Sequence, residues 1–355
     1  MTKFIKKNIF IIFSIIFMFV LLKGNIIKTN ITHQESFETV AGIILEIKDT
    51  DTGQIANVLL EDESTVEVDY TATLTSPQKF SEKDKVILMK NQDNQYYILD
   101  FQRNNILVSI FIIFAIVLFL TSGISGLLAL LAMVISFVII FKIILPLIIT
   151  GQNPVKIALI GSTLIIPVTF YISHGINKKT HIAVIATLIT LVITSLLANY
   201  FTEISRLTGL ADENYIYLSD EVKQFLDLKG LLLAGMIISI LGILDDVTVA
   251  QSSIVEELYK NNTKIKFSEL YKSAMKVGKD HISSMVNTLV LVYAGASLPL
   301  LLVFIDYSEK FMHVINYEFI ATEIIQTLVG SIGLILAVPI TTFLACKSYL
   351  YKSAK

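Results

Sequence analysis

The chain has 355 residues, 54% hydrophobic and 16% charged, with a formal net charge of -2. Soluble domains carry roughly 25% charged residues, so the deficit points to a polytopic membrane protein, and nothing resembles the basic, aromatic-interleaved patches that bind nucleic acid. The single cysteine, Cys346, excludes an internal disulfide and a cysteine-rich metal site, and no tryptophan is present, so any aromatic belt must use Tyr and Phe.

A membrane-crossing helix needs about 20 mostly apolar residues. The first such run, 4–22, is preceded by Lys3 and contains Lys6 and Lys7. Its length, and the absence of a small-x-small site around Leu22-Lys23-Gly24-Asn25, favour an uncleaved anchor (residues 1–23) over a signal peptide. Residues 30–104 then change character. The runs TVAGIILEI, IANVLLED, STVEVDYTA, KVILMK and YYILDF alternate apolar with polar residues and are separated by turn signals such as Asp51-Thr52-Gly53 and Ser76-Pro77. Five short strands in this length predict a small β-barrel, OB-like or SH3-like, inserted after the first helix. Its many carboxylates (Glu61, Asp62, Glu63, Glu67, Asp69) argue against polyanion binding and for a cap or partner-docking module.

Residues 105–355 read as a helical membrane domain. Further spans are expected at 105–121, 124–145, 154–173, 181–200, 230–250, 282–305 and 320–346, making about eight in all, with SGISG at 122–126 as a tight turn. Lys and Arg are biased to the connection after 173, to 252–280 and to the C-terminal tail. By the positive-inside rule both termini are cytoplasmic, the strand domain is extracytoplasmic, and the location is the cell membrane. Between spans, 215–228 reads as a short interfacial helix. SIVEELYKNN and FSELYKSAMKVGKD read as two short amphipathic helices around Asn261-Asn262.

The most informative stretch is LGILDDVTVAQ at 241–251. The bland interpretation is that Asp245-Asp246 marks the end of a helix leaving the bilayer. Against it, Val247, Val249 and Ala250 continue the apolar pattern. If Gly230 starts the span, Asp245 lies about 22 Å along it, within a core about 30 Å thick. At 100° per residue Asp245 shares a face with Thr248, Ser252 and Glu256, with Gln251 on the flank. The next span opens GKDHISSMVNTLVLVYAGASLPLLL. Asp280, Ser284 and Asn287 share one face, His281, Thr288 and Gly295 the adjacent one, and Gly295-Ala296-Ser297 precedes Pro299. Charged or amide groups at membrane depth are either functional or helix–helix glue.

These strings, in order, resemble the YibE/YibF-like family of multipass membrane proteins, most strongly across 230–305. The resemblance extends loosely to EKDKV in the strand domain, where the family tends to have Gly-Asp-Lys-Val. It implies Gly242, Asp245, Asp246, Thr248, Gln251, Gly278, Asp280, His281, Asn287, Thr288, Gly295 and Pro299 as motif positions, and a permease or efflux-type protein. Lys279 stands where an Arg is expected beside Asp280.

Three readings follow. In the first, a transporter for a small solute or ion, Asp245, Asp246, Thr248 and Gln251 form one wall of a site and Asp280, His281 and Asn287 the other. Gly242, Gly278, Gly295 and Pro299 act as hinges. Carboxylates beside a histidine suit a coupling proton or metal cation, and no other cofactor is expected. The second is a scaffold whose strand domain docks another membrane protein, a homo-oligomer also being open. The third is an intramembrane enzyme, disfavoured because the companion motifs of Asp-Asp phosphotransferases and Gly-x-Gly-Asp proteases are absent. No P-loop is present either.

Overall fold

The computed structural model describes residues 38–50, 53–69, 79–91, 94–210, 220–299, 301–302 and 311–351. The anchor expected at 4–22 lies outside them. The chain divides into two compact units, one ending at Gly123 and the other running from Ile124.

In the first unit all five expected strands form: β1 (Glu38–Thr50), β2 (Gly53–Leu60), β3 (Thr65–Asp69), β4 (Lys85–Lys90) and β5 (Tyr96–Phe101). They pair antiparallel in the order β3-β2-β1-β4-β5. The long β1 lies at the centre, with Gly42 opposite both Leu60 and Val86. A Cβ on Gly42 would lie 2.6 and 2.9 Å from methyl groups of Val58 and Leu88, so both side chains would have to shift to admit one. Alternate residues (Ile44, Val58, Val68, Val86, Leu88 and Ile98) bury one face. The sheet is not closed into the barrel that the alternation suggested. The edge strands β3 and β5 exchange no ladder hydrogen bonds. Period-two patterning reports one buried face, and a curled open sheet has that face as surely as a barrel does. The helix α1 (Asn104–Ser122) follows, predominantly apolar and without one buried residue. Asp100 and Arg103 are paired at 2.7 Å at its start.

Gly123, at φ +60, ends the first unit, and the second opens with α2 (Ile124–Ile139). The backbone widens to a π-turn over Ile140–Ile144 before α3 (Leu145–Ile149). This is the local solution to Pro146, which has no N–H to give and whose ring crowds the carbonyl one turn back. Gly161 accepts the bulge: a Cβ there would meet Ile144 at 2.4 Å. Then come α4 (Pro154–His174), capped by the Asn153 side chain, and α5 (Lys178–Ile204), capped by Asn177. The short α6 (Asp220–Phe225) covers only part of the expected interfacial helix, since 211–219 lies outside the described residues. The 34-residue α7 (Leu228–Asn261) is capped by Asp227. After it come α8 (Phe267–Ala296), the single turn α9 (Phe311–Val314) and α10 (Glu318–Tyr351).

Among the described residues, six helices are long and apolar enough to cross a membrane: α1, the α2–α3 rod, α4, α5, α7 and α10. They correspond to six of the eight expected spans. The seventh, 282–305, forms the second half of α8, whose first half is amphipathic and whose continuation past Pro299 is only partly described. The two short amphipathic helices expected around Asn261-Asn262 are instead the ends of α7 and α8. Apolar spacing continues through both junctions, so the helical hydrogen-bond ladder never breaks there. Mutual packing of α5, α7 and α10 forms the heart of the bundle, with α4 and α8 against it. The loop after α5 is tied to the start of α10, where Glu318 accepts hydrogen bonds from Thr208 N, Thr208 Oγ1 and Gly209 N.

Replacing Glu318 by Ala strips three donors of one acceptor. It should cost about 1–3 kcal/mol, the usual penalty for unmaking such bonds, read as a lower thermal midpoint in detergent. In the strand unit Ser64 donates its hydroxyl and its backbone N–H to Asp62, which holds that carboxyl below its ordinary value. This turn therefore supports the fold above an ordinary Asp pKa of about 3.9 and loses its support as pH falls through the lowered value. A carboxyl NMR titration should give a depressed midpoint for Asp62, and Ser64→Ala should raise it.

Candidate functional site

The Asp245-Asp246 pair is not at a helix end. It sits at the centre of α7, with helix running to Leu228 on one side and Asn261 on the other. At 1.5 Å per residue the rod is about 51 Å long, well beyond the hydrocarbon thickness.

Two polar tie-points bracket the pair. At one, the fully buried Gln251 donates through Nε2 to the carbonyl of Ala274 on α8 (3.1 Å) and to Thr342 Oγ1 on α10 (2.7 Å). Its Oε1 has no hydrogen-bond partner among the described residues. The amide lies against Gly278, where a Cβ would be 2.9 Å from Oε1 and 2.5 Å from Val338. That closeness is why this turn of α8 carries a glycine. At the other tie-point, Tyr293 OH of α8 meets Ser239 Oγ of α7 at 2.6 Å and accepts from Gln326 Nε2 of α10 at 3.2 Å. The same three helices are thus joined twice. Asp245 lies midway between Ser239 and Gln251 along α7, and Ser284 midway between Ala274 and Tyr293 along α8. The aspartates and Ser284 are therefore at one level, with Asn287 a turn away.

A third contact ties α7 to α5. Thr248 and Thr187, both fully buried, place their hydroxyls 2.7 Å apart, while each also reaches its own backbone carbonyl one turn back. Two hydroxyl protons serve three contacts, so one back-bond gives way whenever the interhelical bond forms. Ser252 adds a bond to the Lys179 carbonyl at 3.0 Å.

The expected site residues divide accordingly. Thr248, Gln251 and Gly278 are buried in helix contacts. Asp245 and His281 are half-buried; Asp246, Asp280, Asn287, Thr288, Gly295 and Pro299 are exposed. Asp246 shares its open face of α7 with Gly242 and Gly235, at neither of which would a side chain meet any atom within 4 Å. Among the described residues no cluster of three His, Cys, Asp or Glu is placed to hold a metal. Sequence reasoning passed over Thr187, Thr342, Ser239 and Tyr293. The signal was present for one of them: Thr180, Thr187 and Thr194 recur every seventh residue, a single face of α5.

The family model for YibE/F-like proteins matches residues 110–351, two-thirds of the chain and all of its bundle. The chain belongs to the YibE/F-like family. No curated protein and no solved structure matches this YibE/F-like chain. The strands lie outside the matched range, which covers the bundle and the stretch that holds the aspartate pair.

Gln251→Met keeps the volume, removes both bonds and also removes the unpaired Oε1; Gln251→Ala leaves a cavity as well. The alanine variant should be the less stable by roughly 2 kcal/mol. Gly278→Ala should destabilise through overpacking by about 1–3 kcal/mol. Thermal unfolding of the three variants in one detergent gives the order.

Proposed function

We propose that this YibE/F-like protein is a permease for a small solute or ion, with Asp245 and Asp246 handling the transported or coupling cation. The observation that carries the reading is the position of the pair: mid-helix, between two buried polar ties, and beside the open Gly235–Gly242 face of α7. Two adjacent carboxylates repel when both are ionised, and a bound cation or proton relieves that repulsion. Such a pair is costly at membrane depth unless it is used. In this reading Thr248 and Gln251 position α7 and do not line the path. His281 borders the path from α8, Asp280 and Asn287 lie on the outward face of α8 and do not line it, and Gly295 and Pro299 allow α8 to bend. Both termini lie on the lysine-rich, cytoplasmic side, with the strand unit on the opposite side of the cell membrane.

The test is flux in proteoliposomes carrying a proton or monovalent- and divalent-cation gradient. Asp245→Asn and Asp246→Asn should each lower flux at least about tenfold, a barrier change near 1.4 kcal/mol, with unchanged folding and reconstitution. Wild-type flux indistinguishable from empty vesicles under every gradient would defeat the permease reading.

A further inference from the structure

Through the span, the exposed faces of α5 and α10 are lined by large apolar residues. On α5 the exposed positions through the span include Ile185, Ile189, Val192, Ile193 and Leu196, and on α10 they include Ile324, Leu328, Ile335 and Phe343. α8 differs. Its inward face is Ala274, Gly278, Met285, Leu289 and Tyr293, against α7 and α10. Its outward face carries Asp280, Ser283, Ser284, Asn287 and Thr288, all exposed. Ser283 and Thr288 satisfy their hydroxyls on their own backbone, at Lys279 O and Ser284 O. The Asn287 amide has no such outlet and no partner among the described residues. The expected span 282–305 sets Asn287 at membrane depth, where hydrocarbon offers an amide nothing to bond, and in that setting something polar covers this face.

We propose that the covering element is α8 of a second copy of the chain. Copies inserted in the same sense can be related only by a rotation axis along the membrane normal, which sets each residue of α8 opposite its own mate at the same depth. The chemistry of the stripe suits self-pairing. An Asn side chain both donates and accepts and so complements another Asn. Ser284, Ala294 and Gly295 are small enough for close approach. Asp280 faces its own mate and so a like charge, and Lys276, a turn away on the same face, reaches diagonally to the second copy's Asp280 to offset it. The chain's other apolar segments make poor covers. Inside its run, 4–22 offers only Ser14 below Asn8, and α1 offers Ser109, whose hydroxyl is spent on the Asn105 carbonyl. This contact stands on the exposed polar face alone and is independent of any transport by Asp245 and Asp246.

The experiment is oxidative cross-linking of the full chain in native membranes, in a Cys346→Ala background. Single cysteines are placed at Ser284, Asn287 and Leu291 on the outward face, and at Val192 and Leu196 on the apolar face of α5 as controls. The expected result is a product of twice the monomer mass from the three α8 positions, with none above background from the controls. In parallel, single-molecule counting in bilayers should show Asn287→Leu weakening self-association about three- to thirtyfold, the span of measured interhelical hydrogen-bond effects, with Asn287→Gln retaining most of it. Cross-linking at α8 no greater than at α5 would overturn the proposal. So would a product of any other mass, or an intrachain bridge from position 287 to a cysteine placed in 4–22 or in α1. Asp245→Asn should leave the dimer intact, so loss of flux and loss of self-association are separately readable.

Discussion

Everything in this bundle answers to one constraint: a hydrogen-bonding group taken into hydrocarbon must find its partner inside the protein. The backbone meets it by staying helical without interruption, which is why α7 and α10 run for 34 residues each. The side chains meet it at the few places where helices touch. Gln251 is satisfied by α8 and α10 together, and Tyr293 by α7 and α10 together. Because each tie needs three helices at once, no one of them can move away without stranding a polar group on the others.

The small residues complete this logic. Gly333 of α10 lies where a Cβ would press on Thr194 at 2.7 Å, and Gly278 lies where one would press on Gln251. Close backbone approach brings the hydroxyls and amides within bonding distance, and the bonds in turn hold that spacing. Glycine and threonine along α5, α8 and α10 are thus one device in two parts, and neither part accounts for the packing alone.

Much of this was legible in the sequence, unevenly. The six crossing helices were visible because uninterrupted apolar length is itself the physical requirement for crossing. The five strands were visible because alternation is the signature of a half-buried sheet. Closure of that sheet was not, since it depends on whether β3 meets β5, and no pattern within either strand encodes a long-range pairing. The aspartate pair was found because charge in an apolar run is conspicuous. Thr248 and Gln251 were picked out as wall residues, yet they lie in helix contacts. Helical spacing says which residues share a face but not which neighbour covers it. Thr187 and Thr342 were passed over because a threonine in an apolar run looks ordinary until its partner is known.

The length of α7 has a mechanical consequence. A stiff rod held at Ser239 and at Gln251 is pinned at two levels and cannot tilt about either one alone. The aspartates occupy the pinned stretch, so the freedom left to α7 belongs to its two overhanging ends, towards Gly230 and towards Lys260.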